Sequence, residues 1–383
     1  MQSLPLELKL KVLKYLDYES LCSVNMVNRQ FNAIINKYQE ELPKKEFYSM
    51  ELKPLSFLLA TNTPKITAKI SIKNNKLEKN WMGLLKNQRF NKFCLYISST
   101  YEVYHMEPEF VRVLLILHPK QRTEKALWGV VNCCQRVGYG FTQKKSYYIN
   151  IPFRLQTIEQ VREAYYWLKQ LSSCRFIHTG FDNFIFNPEM LKLIFGEDSE
   201  LIQFYCKNAY LSLNEPKYNI SALKFAADHL QKCGNLCLNV KGVNYTDVLK
   251  VLLNNEVEIT KVNINCASSI FDRSSRMPDL IIQHALTSTD CSKMIGEIKF
   301  HSIKWALPAL ISKAKKIDEG ESLSSKKYIE KRKQHYQRKL NERFKFVKYE
   351  LINKHNPRIK FLLTLWFPVG SEHISVFKIK RMN

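Results

Sequence analysis

Three residues of this chain stand at a spacing that could hold a metal: His229, Cys233 and Cys237, each four from the next. On one continuous helix they would share a face and offer three ligands to zinc. Gly234 and Asn235 argue instead that the helix ends between the two cysteines, which sends Cys237 into a strand between Leu236 and Leu238. The expectation is a helix histidine and two buried thiols, with no metal. Cys133-Cys134 reads as a packing pair, because adjacent cysteines rarely bridge and neither has an activating base beside it. Gly138-Tyr-Gly140 lacks the third glycine and the following helix that a pyrophosphate needs. No P-loop, Gly-x-Ser-x-Gly elbow or His-Glu-x-x-His stretch occurs. The chain is read as non-catalytic, without cofactor or metal.

The elements that could position a binding function come next. At 383 residues with 45% hydrophobic and 12% aromatic residues, the chain can fold over most of its length. The longest strongly apolar run, residues 361–369, is far short of the roughly 20 that span a bilayer, so no membrane partner is expected. Glu7 and Lys9 interrupt the opening residues, so no secretory leader is expected. Ten cysteines scattered without a framework fit reduced thiols in the cytosol or nucleus. A formal net charge of +24 favours acidic partners and says nothing of fold.

The first forty residues carry the strongest signal. On a helix, Leu4, Leu8, Val12, Tyr15 and Leu16 form one apolar stripe, and Leu6, Leu10 and Leu13 form a second beside it. Together they span an arc of roughly 240°, with Lys9 inside it and Glu7, Lys11 and Lys14 on the wet side. Asp17 is a good N-cap for a second helix and Asn28 for a third, whose inward residues would be Leu21, Val24, Val27, Phe31, Ile34 and Ile35. A unit this small needs disulfides, metal or a partner. It has one cysteine, Cys22, and no histidine, so a partner protein remains.

Leu4-Pro5-x-Glu7-Leu8, Val12-Leu13, Leu16-Asp17, then Leu21, Val24, Val27, Arg29 and Phe31 resemble the F-box pattern. The pattern is departed from at Asn28, where many F-boxes have cysteine, and at Phe31, where many have tryptophan. The resemblance implies a three-helix module that binds the Skp-type adaptor of a cullin-based ubiquitin ligase. On that analogy the adaptor contact falls to Leu4, Pro5, Leu8, Val12, Leu13, Leu16 and Leu21. Val24, Val27 and Phe31 would hold the helices together or touch the partner. An N-terminal F-box before a divergent tyrosine- and lysine-rich array is also similar to the expanded F-box sets of nematodes.

Beyond a connector around Pro43, strand-like runs alternate with helical stretches. Strands are expected over residues 66–72, 93–98, 147–151, 176–186, 202–206, 236–240, 262–266 and 298–301. Thr157-Ile-Glu-Gln160 is a capping box, Asn187-Pro188-Glu189 starts a helix, Ser221 opens one that Gly234 closes, and Met277-Pro278-Asp279 opens another. Ile185, Leu211, Leu238 and Ile264 recur at intervals of about 26 residues, the arithmetic of a leucine-rich-repeat-like stack. That family's asparagine ladder is missing from the sequence, and an ordinary open α/β sheet would show the same alternation.

Residues 318–325 read as a polar hinge and 326–343 as a basic helix; residues 346–351, 358–367 and 374–380 read as a closing meander. The fold class is therefore α/β. A three-helix module (1–42) precedes a repeat array (43–312), a hinge with basic helix (313–345) and a strand cap (346–383). The function expected is a substrate receptor of an SCF-type ubiquitin ligase, the array holding an unidentified protein substrate, acidic in character. The competing readings are a ligase-independent interaction scaffold and a nucleic-acid-binding protein. The latter would use the basic helix, around which no nucleic-acid fold is recognised.

Overall fold

The computed structural model describes residues 4–38, 41–54, 77–78, 82, 94–98, 112–119, 147–152, 154–181, 184–196, 202–213, 216–230, 233–240, 245–253, 259–266, 276–305, 314–323, 343–371 and 373–382. The expected strand over 66–72, nearly all of the basic helix, Cys133-Cys134 and Gly138-Tyr-Gly140 lie outside them.

Three short helices open the chain: α1 (Leu6–Tyr15), α2 (Tyr18–Val27) and α3 (Arg29–Lys37). Both expected caps are made. The Asp17 carboxylate accepts from the Ser20 amide at 2.8 Å, and the Asn28 side chain accepts from the Gln30 amide at 2.7 Å.

Among the described residues, the remainder is one twelve-stranded sheet covered by helices, plus a two-stranded sheet. Its middle is parallel and runs in sequence order through β1 (Lys45–Pro54), β5 (Cys174–Phe181), β7 (Tyr205–Leu213), β8 (Cys233–Val240), β9 (Lys261–Cys266) and β10 (Glu297–Trp305). The helices are α4 (Ile158–Ser172), α5 (Pro188–Phe195), α6 (Pro216–His229), α7 (Tyr245–Leu253) and α8 (Arg276–Thr287). From β5 onward each crossover advances one strand in the same direction, and crossovers of one hand then stack their helices on one face. Helix residues such as Leu168, Leu191, Phe225, Leu252 and Ile282 share one core with Phe176, Leu211, Leu238, Ile264 and Phe300 from the sheet.

Antiparallel strands extend both ends. β3 (Arg112–Pro119) and β4 (Tyr147–Pro152) flank β1. Beyond β10 come β14 (Ile374–Met382), β13 (Lys360–Pro368), β12 (Arg343–Ile352) and β11 (Lys315–Leu323), the outermost strand. The side chain of Asn353 ties this meander to the end of α8, donating to the carbonyls of Ala285 and Ser288 at 2.9 Å each.

Several expectations are corrected. The run 176–186 is not one strand: β5 ends at Phe181, and β6 (Phe184–Phe186) pairs with β2 (Tyr96–Ser98) in the small sheet. Ile185 therefore drops out of the repeat series, and Phe181 takes its register position beside Leu211, Leu238 and Ile264. Helix α6 begins at Pro216, not Ser221, and ends at His229. Gly234 lies inside β8, where a Cβ would sit 3.1 Å from the Lys207 carbonyl oxygen, so close strand approach explains this glycine rather than a helix end. Residues 318–323 are not a hinge but most of β11, paired along its length with β12. Lys315, Lys316, Asp318, Glu319 and Glu321 leave this strand without an apolar face, and such a sequence looks like a loop.

Candidate partner-binding surface

The opening helices build a core separate from the main one, made of Leu13, Leu21, Ile34, Ile35 and Leu42, with Leu10, Leu16, Val24, Phe31 and Tyr38 packed around it. Five buried side chains are few, and the same helices leave large apolar groups in water. Leu4 is 37% exposed, Leu6 40%, Leu8 48% and Val12 44%, while Tyr15, Met26 and Val27 are above 80%. Pro5 is exposed as well. So much apolar surface gathered on so small a unit marks an interaction site.

The residues expected at the adaptor contact fall into three groups. Leu4, Pro5, Leu8 and Val12 share the open side of α1. Leu16, Val24 and Phe31 are half-buried at the margin of the trio's core. Leu13 and Leu21 lie inside that core, 1% and 5% exposed. Val27 departs from the inward direction expected of it: it is the last residue of α2, beside the extended Asn28 cap, and points to solvent. Met26 carries no sequence signal of its exposure, since its apolar type is shared with the inward residues of α2.

Lys9 sits within the apolar arc, 6% exposed, on an open groove of about 280 Å3 between α1 and α3 that Leu6, Ala33 and Lys37 also line. An ion pair of 2.5 Å from Lys14 to Glu41 fastens α1 to the chain leaving α3. At the start of the array the Lys44 ammonium lies 4.1 Å from the centre of the Tyr205 ring.

The sheet carries a second polar surface, on the face away from its helices. His178, Asn208 and Asn235 are direct register neighbours on β5, β7 and β8. The Asn235 amide donates to Asn208 Oδ1 at 3.2 Å, and the Asn263 amide to Asn235 Oδ1 at 2.7 Å. Burial holds the His178 imidazole below its ordinary pKa, with Lys207 adding to the effect. Sequence reading missed this chain of amides, although its members stand 27 and 28 residues apart, the period already visible in the apolar positions.

The three potential zinc ligands are dispersed. His229 is buried, with Nδ1 2.9 Å from the Ile202 carbonyl oxygen, and burial lowers its pKa. Cys233 is buried beside Cys206 on the core face, whereas Cys237 is half-buried in the row of Tyr210 on the other face.

No curated protein and no solved structure matches this chain. A domain family of unknown function (DUF8381) matches residues 112–241, from the first residue of β3 to just past the end of β8. The F-box-like family matches residues 1–39. Three capped helices with a core of their own and an uncovered leucine stripe occupy that segment, and this N-terminal module is an F-box-like domain.

Proposed function

We propose that this chain is the substrate-receptor subunit of an SCF-type cullin ubiquitin ligase. The observation that carries the reading is the open stripe Leu4, Leu6, Leu8 and Val12, each more than a third exposed and covered by no other element among the described residues. Fully burying one such side chain contributes about 1.5–3 kcal/mol, so covering four partly exposed ones gives a partner several kcal/mol. The Skp-type adaptor lies against Leu4, Pro5, Leu6, Leu8 and Val12, with Val27 and the half-buried Leu16, Val24 and Phe31 at the edge of the contact. Leu13 and Leu21 support it from within. The cullin is reached through the adaptor.

The receptor itself makes no bond. It holds a protein substrate on the leucine-rich-repeat-like array and raises the effective concentration of substrate lysines at the ubiquitin-charged enzyme. The test is co-purification of a Skp-type adaptor with the Leu8→Glu, Val12→Glu double variant. Capture is expected to disappear while the melting of the array is unchanged, because both side chains already face water. Undiminished capture would overturn the module's role. A ligase-independent scaffold, with the helices docked on the array, is disfavoured by the same exposed stripe.

A further inference from the structure

The outer face of the sheet changes character along its length. Over β5 to β9 it is rich in asparagine (Asn208, Asn235, Asn239, Asn263 and Asn265), with Arg175 and Lys261 near the strand starts. Over β10 and the meander it resolves into two stripes that cross the strands side by side. Register places Lys299, Lys378, Thr364, Lys348 and Asp318 in one row. The next row holds His301, Val376, Trp366, Phe346 and Gly320. Register partners share a face, so a cationic stripe runs beside an aromatic one. Gly320 belongs to this design: a Cβ there would meet the Phe346 ring at 2.9 Å, so the absence of a side chain lets the ring lie over the strand.

The cations are unevenly neutralised. Lys378 pairs with Glu297 at 3.0 Å and Lys348 with Asp318 at 2.5 Å. Lys299 stands directly opposite Lys378, an arrangement that costs stability. Among the described residues no carboxylate lies within ion-pair distance of Lys299; its ammonium rests 5.6 Å from the centre of the Trp366 ring. Burial lowers its pKa and the charge of Lys378 lowers it further, while the carboxylate of Glu297 acts in the opposite direction. A half-buried lysine held against a like charge is relieved by an incoming anion.

We propose that this face is the substrate-docking surface, and that it takes an acidic segment of a protein substrate, laid across β10, β14, β13 and β12. Its carboxylate pairs with Lys299, and a neighbouring apolar side chain packs on Trp366 and Phe346. The assignment rests on the receptor reading above and names the substrate class. The carboxylates of Glu297 and Asp318, and of Glu350 beside Lys360, interrupt the positive field. A continuous phosphate backbone would meet them at every step, whereas a peptide places its acids only where lysines wait.

The test uses the full chain and a labelled peptide rich in glutamate and phenylalanine, followed by fluorescence anisotropy. A lysine-rich peptide and single-stranded oligothymidine serve as competitors. Binding is expected to weaken with salt, and Lys299→Gln to weaken it by about tenfold. Lys299→Glu should abolish it. Neither variant is expected to lower the melting temperature, because each removes a repulsion with Lys378, and a purely structural lysine would behave in the opposite way. Equal binding by wild type and Lys299→Gln would overturn the proposal. So would preferential binding of the oligonucleotide, or a lowered melting temperature in both variants. Adaptor capture by the same variants should be unchanged. If wild-type protein captures no adaptor but still binds the peptide, the ligase reading fails and the docking surface stands.

Discussion

The F-box-like trio and the parallel array solve the same packing problem in opposite ways. In the array, one face of the strands goes into one continuous core: Phe176, Phe181, Leu211, Leu238, Ile264 and Phe300 are all 0–1% exposed. The trio buries five apolar side chains in its own core and leaves Leu6, Leu8 and Val12 at 40% or more. Apolar residues alone do not separate the two regions. The array's helices find a sheet to cover within the same chain; among the described residues the first helix of the trio does not. A core that closes on itself is stable alone; a core left open is completed in a complex.

The sharpest way to break the contrast is to damage each core and read both properties. Phe225 lies at the centre of a ring cluster, with ring centres 5.0 Å from Phe181, 6.0 Å from Phe204 and 6.3 Å from Phe186. Phe225→Ala should cost about 3–5 kcal/mol and lower the main thermal transition, with adaptor capture preserved at low temperature. Leu13→Ala should cost about 2–5 kcal/mol within the trio and sharply reduce adaptor capture, while the main transition stays. If Leu13→Ala moved the main transition as far as Phe225→Ala does, the two regions would be one cooperative unit.

Acid should separate them next. The trio contains no histidine, whereas the array carries His178, His229, His284 and His301, each held below its ordinary pKa chiefly by burial, and His301 down to about 4. A histidine that resists protonation when folded contributes stability above its unfolded pKa of about 6.5, and that stability is lost as the pH falls towards 4. The main transition should therefore fall between pH 6.5 and 4, and His301→Asn should flatten the slope. An unchanged slope in that variant would remove His301 from this account.

The smallest effects come from the caps. Asn28→Ala and Thr157→Ala each remove a side-chain bond to a helix N-terminus and should each cost about 1 kcal/mol. Asn28→Ala should also weaken adaptor affinity, because it joins the two helices that carry Val24, Val27 and Phe31. Thr157→Ala should not. Titration calorimetry against the adaptor separates the two.

Local chemistry was the most legible part of this sequence. The capping box Thr157–Gln160, the caps Asp17 and Asn28 and the proline start at Pro188 are all made as their residues dictate, since each needs only neighbours within four positions. What depended on distant strands was hidden. Gly234 and the polar strand β11 take their roles from backbone across a strand pair, which no local pattern reports. At the candidate surface, the exposed arc of α1 could be read because one helix cannot hide both its stripes. The separation of Leu13 from Val12 required the positions of α2 and α3.

One further consequence follows from β11. Among the described residues it is the last strand of the sheet, and the outer row of backbone groups on such a strand is the usual template for another chain to zip onto. Its exposed side chains are Lys315, Lys316, Asp318, Glu319 and Glu321, with Ile317 apolar among them. A second copy approaching in register would bring like charges together and strip them of water. The charges at this border thus work against open-ended fibre growth by strand pairing.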